Sequence, residues 1–344
     1  MSRLSRLSLD ERLNAPYKIA TLTEAVGPMG ISEDVVLEGT DLLPAQLQDP
    51  QVKTSVRQFT QACRNAMAAG AAPDTPFQVG TKMRVSSYGM YGYALLCCPT
   101  LRDVARLAVK YHRLATPTVD FTFREEGDEA VWSFDNIVDL EPGDPLYRFL
   151  VELQFAIHIT LGRDLLGPAF KLARVSARYA APPNLASYTE HLDCQADFSQ
   201  PRNELRYSAA LLAMHPTYHN PITVAMASDV CERLLDQGQR DSGVAGRVYR
   251  LLTQVPGQFD DMEAISAKLN TTSRTLRRKL QAEGTSYQGI LAEVRCQLAK
   301  EYLRTTRLST EDIADVLGFS DAANFRHAFR RWTGKPTSEF RRIP

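Results

Sequence analysis

The sequence predicts two domains of different class. Residues 1–212 read as an α+β domain of helices and antiparallel hairpins, 213–243 as a linker and helix, and 244–344 as an all-α domain with two helix-turn-helix units. Three observations carry that reading. At 344 residues the chain is long enough for two separate cores. Its apolar pattern mixes strand and helix periods up to about residue 212 and is helical in short pieces beyond it. Its charge is divided along the chain: 40 Lys+Arg balance 40 Asp+Glu overall, yet residues 244–344 hold 17 basic against 11 acidic residues and residues 1–243 hold 23 against 29. A basic C-terminal third suits attraction to phosphate, although a solvated basic face has the same composition.

Other function classes find little support. With 44% hydrophobic and 23% charged residues, large-scale disorder is not expected. No run approaches the roughly eighteen apolar residues of a membrane span. The opening MSRLSRLSLDERLNAPY lacks the apolar core and cleavage site of a signal peptide. Cysteines at 63, 97, 98, 194, 231 and 296 show no CxxC spacing, so reduced thiols in a cytoplasmic protein are expected. No Ser/His/Asp order, P-loop or glycine-rich nucleotide loop occurs, so neither an enzyme nor a cofactor is expected. His215 and His219 are four apart in HPTYH, but Pro216 keeps them off one helix face and no acid or cysteine completes a set, so no metal is expected.

The elements follow in order. TLRDVARLAVKYHRL (100–114) places Leu101, Val104, Leu107, Ala108 and Tyr111 at helical spacing. TVDFTFREEGDEAVWSFDN (118–136) alternates as two strands about a Glu-Gly-Asp turn. DPLYRFLVELQFAIHITLGRDLL reads as a long helix stopped near Gly167-Pro168. KLARVSARYA (171–180) reads as a strand, NLASYTEHL as a short helix and QADFSQPRNELRYS (195–208) as a second hairpin. AMHPTYHNP is turn-rich, and ITVAMASDVCERLLDQG (222–238) is a helix. In that helix Val224, Ala227, Val230, Cys231 and Leu234 recur at helical spacing, fit to cap their own domain or to meet a partner subunit. QGQRDSGVAG (237–246) reads as a polar break at the domain boundary.

Beyond it one pattern occurs twice, within about 259–283 and 309–332. AISAKLNTTSRTLRRKL (264–280) and DIADVLGFSDAANFRHAF (312–329) each place a turn residue, Asn270 or Gly318, five positions after an isoleucine. Each then carries an apolar pair four apart, Leu276/Leu280 or Phe325/Phe329. Asn and Gly most readily take the left-handed conformation of a sharp helix-to-helix turn, and Ser273 and Asp321 suit the N-cap region of the second helix. Opposite the apolar stripes lie Arg274, Arg277, Arg278 and Gln281 in the first unit, and Ala323, Arg326, His327, Arg330 and Arg331 in the second. Guanidinium forks match the guanine edge in a major groove. SYQGILAEVRCQLAKEYLRTT (286–306) reads as one helix with Ile290, Val294 and Leu298 aligned, a spacer of roughly 27 Å. That is near the ~34 Å between successive major grooves on one DNA face, so double-stranded DNA read in two adjacent grooves is the expected partner.

With those residues in view, the C-terminal hundred resemble the AraC/XylS family of bacterial transcription regulators. IADVLGFSDAANFRHAFRRWTGKPTSEFR follows the family signature, including Gly318-Phe319, Phe325, Phe329-Arg330-Arg331, Gly334, Pro336 and Phe340-Arg341. The resemblance assigns base contacts to Arg274, Thr275, Arg277 and Arg278, and to Ala322, Ala323, Arg326 and His327. Asn270 stands where the family usually has Gly, and Ala322 and Ala323 replace larger polar residues, which shifts readout onto Arg326 and His327. YGYALLCCPTLRDVARLAVKYHRLATP and LRYSAALL are similar to the N-terminal domain labelled arabinose-binding-type in a subset of these regulators. That resemblance implies a small-molecule effector, though not arabinose in particular, and self-association as a homodimer, and makes RNA polymerase a candidate partner. The alternative is an N-terminal domain that answers to a protein. Tyr88, Tyr91, Tyr93, His112, Trp132 and His158, polar-tipped groups within apolar elements, are the candidate effector-binding residues, against the plain reading of satisfied core groups.

Overall fold

The computed structural model describes residues 9–341 except 11, 13, 50, 116, 117, 137, 242, 254–256 and 258, with backbone alone at 136 and 236–241. The chain divides into two units, one of Leu9–Asp236 and one from Gln237 onward.

The first unit runs α1 (Tyr17–Val26), α2 (Glu33–Leu37), α3 (Val56–Ala68), α4 (Thr75–Lys82), α5 (Gly89–Cys97), α6 (Leu101–Tyr111), β1 (Val119–Glu126), β2 (Glu129–Asn136), α7 (Pro145–Leu166), β3 (Arg174–Ser176), α8 (Leu185–Leu192), β4 (Gln195–Asp197) and β5 (Asn203–Ser208). α9 (Pro221–Asp241) begins in this unit. Asp144 caps α7 by accepting from the Leu146 N–H at 2.8 Å, Pro145 starts it, and Gly167 at φ 60° ends it. Most of α7 is buried, from Leu146 to Leu166, so it forms the axis of the core. α4 crosses it at Gly80, where a Cβ would lie 2.3 Å from that of Ala156. Only glycine permits that approach.

β1 and β2 form the predicted hairpin around Gly127-Asp128, with Phe121 opposite Phe134 and Phe123 opposite Trp132. The second predicted hairpin is not one. The sheet order is β1-β2-β5-β3-β4, so β5 pairs antiparallel with β2 and β3 while β4 lies parallel to β3. β3 is shorter than predicted, at three residues. It wins its place because its fully buried Val175 pairs with buried Leu205, and the Ser199 and Gln200 N–H groups bond back to Tyr179 and Ala177. The loop thus crosses over β3 instead of closing a turn.

The second unit is all helical: α10 (Gly243–Thr253), α11 (Met262–Lys268), α12 (Ser273–Ala282), α13 (Tyr287–Thr305), α14 (Thr310–Val316) and α15 (Ala322–Thr333). The predicted polar break is largely helix. α9 continues to Asp241 and α10 starts at Gly243, at φ 75°, and the Gln and Arg residues of the stretch are fair helix formers. Two apolar clusters build this unit. Leu276 and Leu280 pack with Val248, Leu252, Ile265, Ile290 and Val294; Phe325 and Phe329 pack with Ala299, Leu303, Ile313 and Leu317. Phe259 and Leu298 border both clusters.

Candidate functional site

In each helix pair the turn residue adopts the left-handed backbone that the sequence predicts: Asn270 has φ 50° and Gly318 φ 70°. Each helix begins on a side-chain cap. Asp261 accepts from Ala264 N–H on α11, Ser309 from Asp312 N–H on α14 and Asp321 from Asn324 N–H on α15. The cap of α12 is Thr272, not Ser273, which is the first helical residue. The second helix pair spends one more residue than the first between turn and cap, three from Gly318 to Asp321 against two from Asn270 to Thr272.

The stripes and faces divide as expected. Leu276, Leu280, Phe325 and Phe329 are fully buried, while Arg274, Arg277, Arg278 and Gln281 on α12 and Ala323, Arg326, His327, Arg330 and Arg331 on α15 are exposed. Thr275 is half-buried, and its hydroxyl lies 3.1 Å from that of the capping Thr272. Ala322 is half-buried and packs against the phenylalanine cluster. Arg326 has Glu311 at 3.8 Å, a loose exposed pair of little energetic weight. α13, at 19 residues, spans about 28 Å between the two pairs.

Two residues hold this arrangement that the sequence did not single out. Arg295 on α13 lies over the rings of both Phe259 and Phe319 and donates from Nη2 to the Gly318 carbonyl at 3.2 Å. Glu283, at the end of α12, accepts from the Val244 and Ala245 N–H groups at 2.9 and 2.8 Å and so caps α10. An arginine next to Val294 on the spacer's apolar side was the available signal for the first. Nothing in the sequence signalled the second, which joins residues 39 apart.

In the first unit, Tyr88, Tyr91, Trp132 and His158 line one cavity of about 50 Å³, together with Phe121, Gln154 and Tyr207 among others. Tyr93 does not: it is 49% exposed. His112 is absent from the lining; its Nε2 lies 2.7 Å from Asp120 and its ring rests on Phe121. His158 is ringed by Trp132, Phe134 and Phe121, with centroids at 5.1, 4.6 and 5.3 Å. Burial pushes its pKa down to about 4, so the imidazole is neutral at physiological pH. His158 Nδ1 lies 2.7 Å from Gln154 Nε2 and 3.2 Å from the Gln154 carbonyl oxygen, so the ring is held by its own helix from one residue four positions back. The Tyr88 hydroxyl is buried without a hydrogen-bond partner. His215 and His219 do bring their rings to 5.2 Å, but no group of three metal-ligating residues occurs among the described residues.

Paired helix-turn-helix units on one scaffold, each with an arginine face turned to solvent, define a DNA-binding regulator. Residues 30–216 match the family described as the arabinose-binding domain of AraC transcription regulators, and residues 265–343 match a helix-turn-helix domain. The chain belongs to the AraC-type transcription regulators. It is 33% identical over 323 residues to the ornithine utilization regulator of Pseudomonas aeruginosa, covering 94% of each chain. It is 28% identical over 275 residues to the transcriptional regulator VqsM of the same species, covering 76% of this chain and 82% of that one. The crystal structure of the regulator CdpR from P. aeruginosa overlaps 97% of this chain and 100% of its own at 21% identity and a TM-score of 0.49. No helix among the described residues is long and apolar enough to cross a membrane.

Proposed function

We propose that this regulator recognises a specific duplex operator by placing α12 and α15 in two adjacent major grooves, and that a small molecule received by the first unit governs its action. The observation that carries the DNA reading is the pair of exposed Arg-rich faces joined by one unbroken helix, α13. Arg274, Arg277, Arg278, Arg326 and His327 are the base-reading candidates, and Arg330 and Arg331, in the last turn of α15, are suited to phosphates. Thr275, Gln281, Ala322 and Ala323 complete the proposed contact set, with Thr275 and Ala322 half-buried at the starts of their helices. Selecting bound duplexes from a random library with the full chain tests this. The expected operator has two half-sites about one helical turn apart; a single half-site removes the two-groove reading.

The first unit supports the effector reading through its aromatic cavity. Its N-terminal family and the ornithine utilization regulator among its relatives make ornithine and arabinose the first metabolites to test in operator titrations. RNA polymerase is the proposed onward partner. We also propose a homodimer, supported by α9. Ala227 and Cys231 are fully buried in their own unit, with Val224 and Leu235 against them, yet Ile222, Met226 and Leu234 are 74%, 68% and 43% exposed. Light scattering of the full chain tests it, and a monomer at micromolar concentration removes it.

A further inference from the structure

We propose that the cavity bounded by α5, α6, α7 and the sheet is the effector site, and that its effector is a small, uncharged, mainly apolar molecule with one hydrogen-bonding oxygen directed at the Tyr88 hydroxyl. This rests on the effector reading above and narrows it to a chemical class.

Three features of the lining argue for that class. No Asp, Glu, Lys or Arg contributes to it. A zwitterion such as ornithine would bring at least two charges into a site without a counter-ion, and burying unpaired charge is prohibitive. The one base in the lining, His158, is itself held neutral by burial, so the site offers no cation to an acid. Second, the walls are aromatic and aliphatic: Phe121, Trp132, Leu161, Leu165 and Phe170 face the space. A sugar carries several hydroxyls, each needing a partner, and these five side chains offer no free one. Third, the polar groups that remain are few and specific. The Trp132 Nε1 hydrogen is spent on the Tyr207 oxygen at 3.2 Å and His158 Nδ1 lies against Gln154, while the Tyr91 hydroxyl and the Gln154 amide are the other polar groups of the lining. The Tyr88 hydroxyl has no protein partner, though the residue is only 7% exposed. A buried hydroxyl left unpaired costs stability that phenylalanine at the same place would not cost. A ligand oxygen returns that loss, which gives the hydroxyl a reason to be there.

Size agrees. At about 50 Å³ the cavity holds only a handful of non-hydrogen atoms, since a single water needs roughly 10–15 Å³ on this scale. Packing closes it tightly at one wall, where a Cβ on Gly162 would meet the Phe170 ring at 2.3 Å. A small ring or short chain with one hydroxyl or carbonyl fits; a nucleotide or hexose does not.

The chain has two tryptophans, Trp132 in the cavity and Trp332 in the DNA-binding unit. In full-length Trp332→Phe, Trp132 alone reports on the site. Titrating cyclopentanol should give a saturable fluorescence change, and ornithine and arabinose should give none. Tyr88→Phe, which removes an unpaired hydroxyl and so should fold, is expected to weaken cyclopentanol roughly three- to tenfold and to leave cyclopentane, which lacks the hydroxyl, unchanged. No saturable change with cyclopentanol, or equal losses for both probes, overturns the proposal. Parallel operator titrations with the unmutated chain separate it from the reading it rests on. If ornithine or arabinose shifts operator affinity while Trp132 stays silent, the effector reading stands and this site falls. If cyclopentanol binds as described and operator affinity ignores every small molecule, the site stands and the effector reading falls.

Discussion

The guanidinium of Arg295 lies 5.0 Å from the ring centroid of Phe259 and 5.0 Å from that of Phe319. Phe259 leads into the first helix pair and Phe319 sits in the turn of the second, so one planar cation joins the two. Gly318 has room for Arg295 because it lacks a side chain: a Cβ there would stand 3.1 Å from Nη2.

Arg295→Lys should therefore cost about 1–2 kcal/mol of stability in the second unit, since an ammonium cannot stack on two rings and bond a carbonyl at once. If the two helix pairs read separate grooves, the same variant should tolerate a wider range of half-site spacings than the unmutated chain. Affinities for a set of operators differing only in spacing check this; an unaltered optimum would mean that α13 alone sets the distance.

Arg278→Ala and Arg330→Ala should fail differently. The first should cost about 1–3 kcal/mol and relax one operator position, as for a guanidinium on a guanine edge. The second should weaken all sequences alike and reduce the slope of log K against log salt by about one. Salt titrations on operator and random duplex distinguish the two outcomes.

Phe329→Ala should remove about 3–5 kcal/mol. Phe329 is fully buried between Phe325 and Phe340, with ring centroids at 5.8 and 5.1 Å, in a cluster of seven buried residues. Melting followed by circular dichroism should show the second unit unfolding early and DNA binding lost with it. Unchanged melting would mean that the cluster refills the space.

Two titrating groups on α7 should oppose each other. Burial raises Glu152 from 4.5 to about 7, against the Tyr188 hydrogen bond and Arg148, and burial lowers His158 from 6.5 to about 4. The folded chain holds the Glu152 proton more tightly than the unfolded one, so that group's contribution falls as pH rises from 4.5 to 7. His158 does the reverse, contributing more as pH rises from 4 to 6.5. Their slopes should largely cancel. Glu152→Gln leaves the histidine slope alone, so its stability relative to the unmutated chain should be greater at about pH 8 than at about pH 5. Urea midpoints at both pH values measure it, and a constant difference would place the Glu152 pKa near its ordinary value.

What the sequence disclosed followed the range of the interaction. The α12 and α15 faces were legible because helical periodicity and a left-handed turn residue are local signals, complete within about twenty residues. The β1–β2 hairpin was legible for the same reason. The partition of 195–208 failed because β5 chooses its neighbours across the sheet: Asn203 donates to the Phe134 carbonyl and the Tyr147 hydroxyl, 69 and 56 residues away. Four of six polar-tipped residues reached one cavity because they sit in elements that converge on α7. Tyr93, two residues after Tyr91 on α5, falls on the opposite face by the helical period itself, and His112 turns to Asp120, a partner that helical spacing does not reveal.

The Glu283 carboxylate holds the second and third N–H groups of α10, and Glu283 itself ends α12. The chain leaving α9 is thus moored, within two residues of Gly243, to the C-terminal end of α12. If a pull or twist were transmitted along the backbone at this crossing, these two bonds would carry it to the end of α12 before the rest of the unit. Such an event would then have a short path to one helix pair and a longer one, through all of α13, to the other. The two halves of an operator should then feel an upstream event unequally, the half under α12 first.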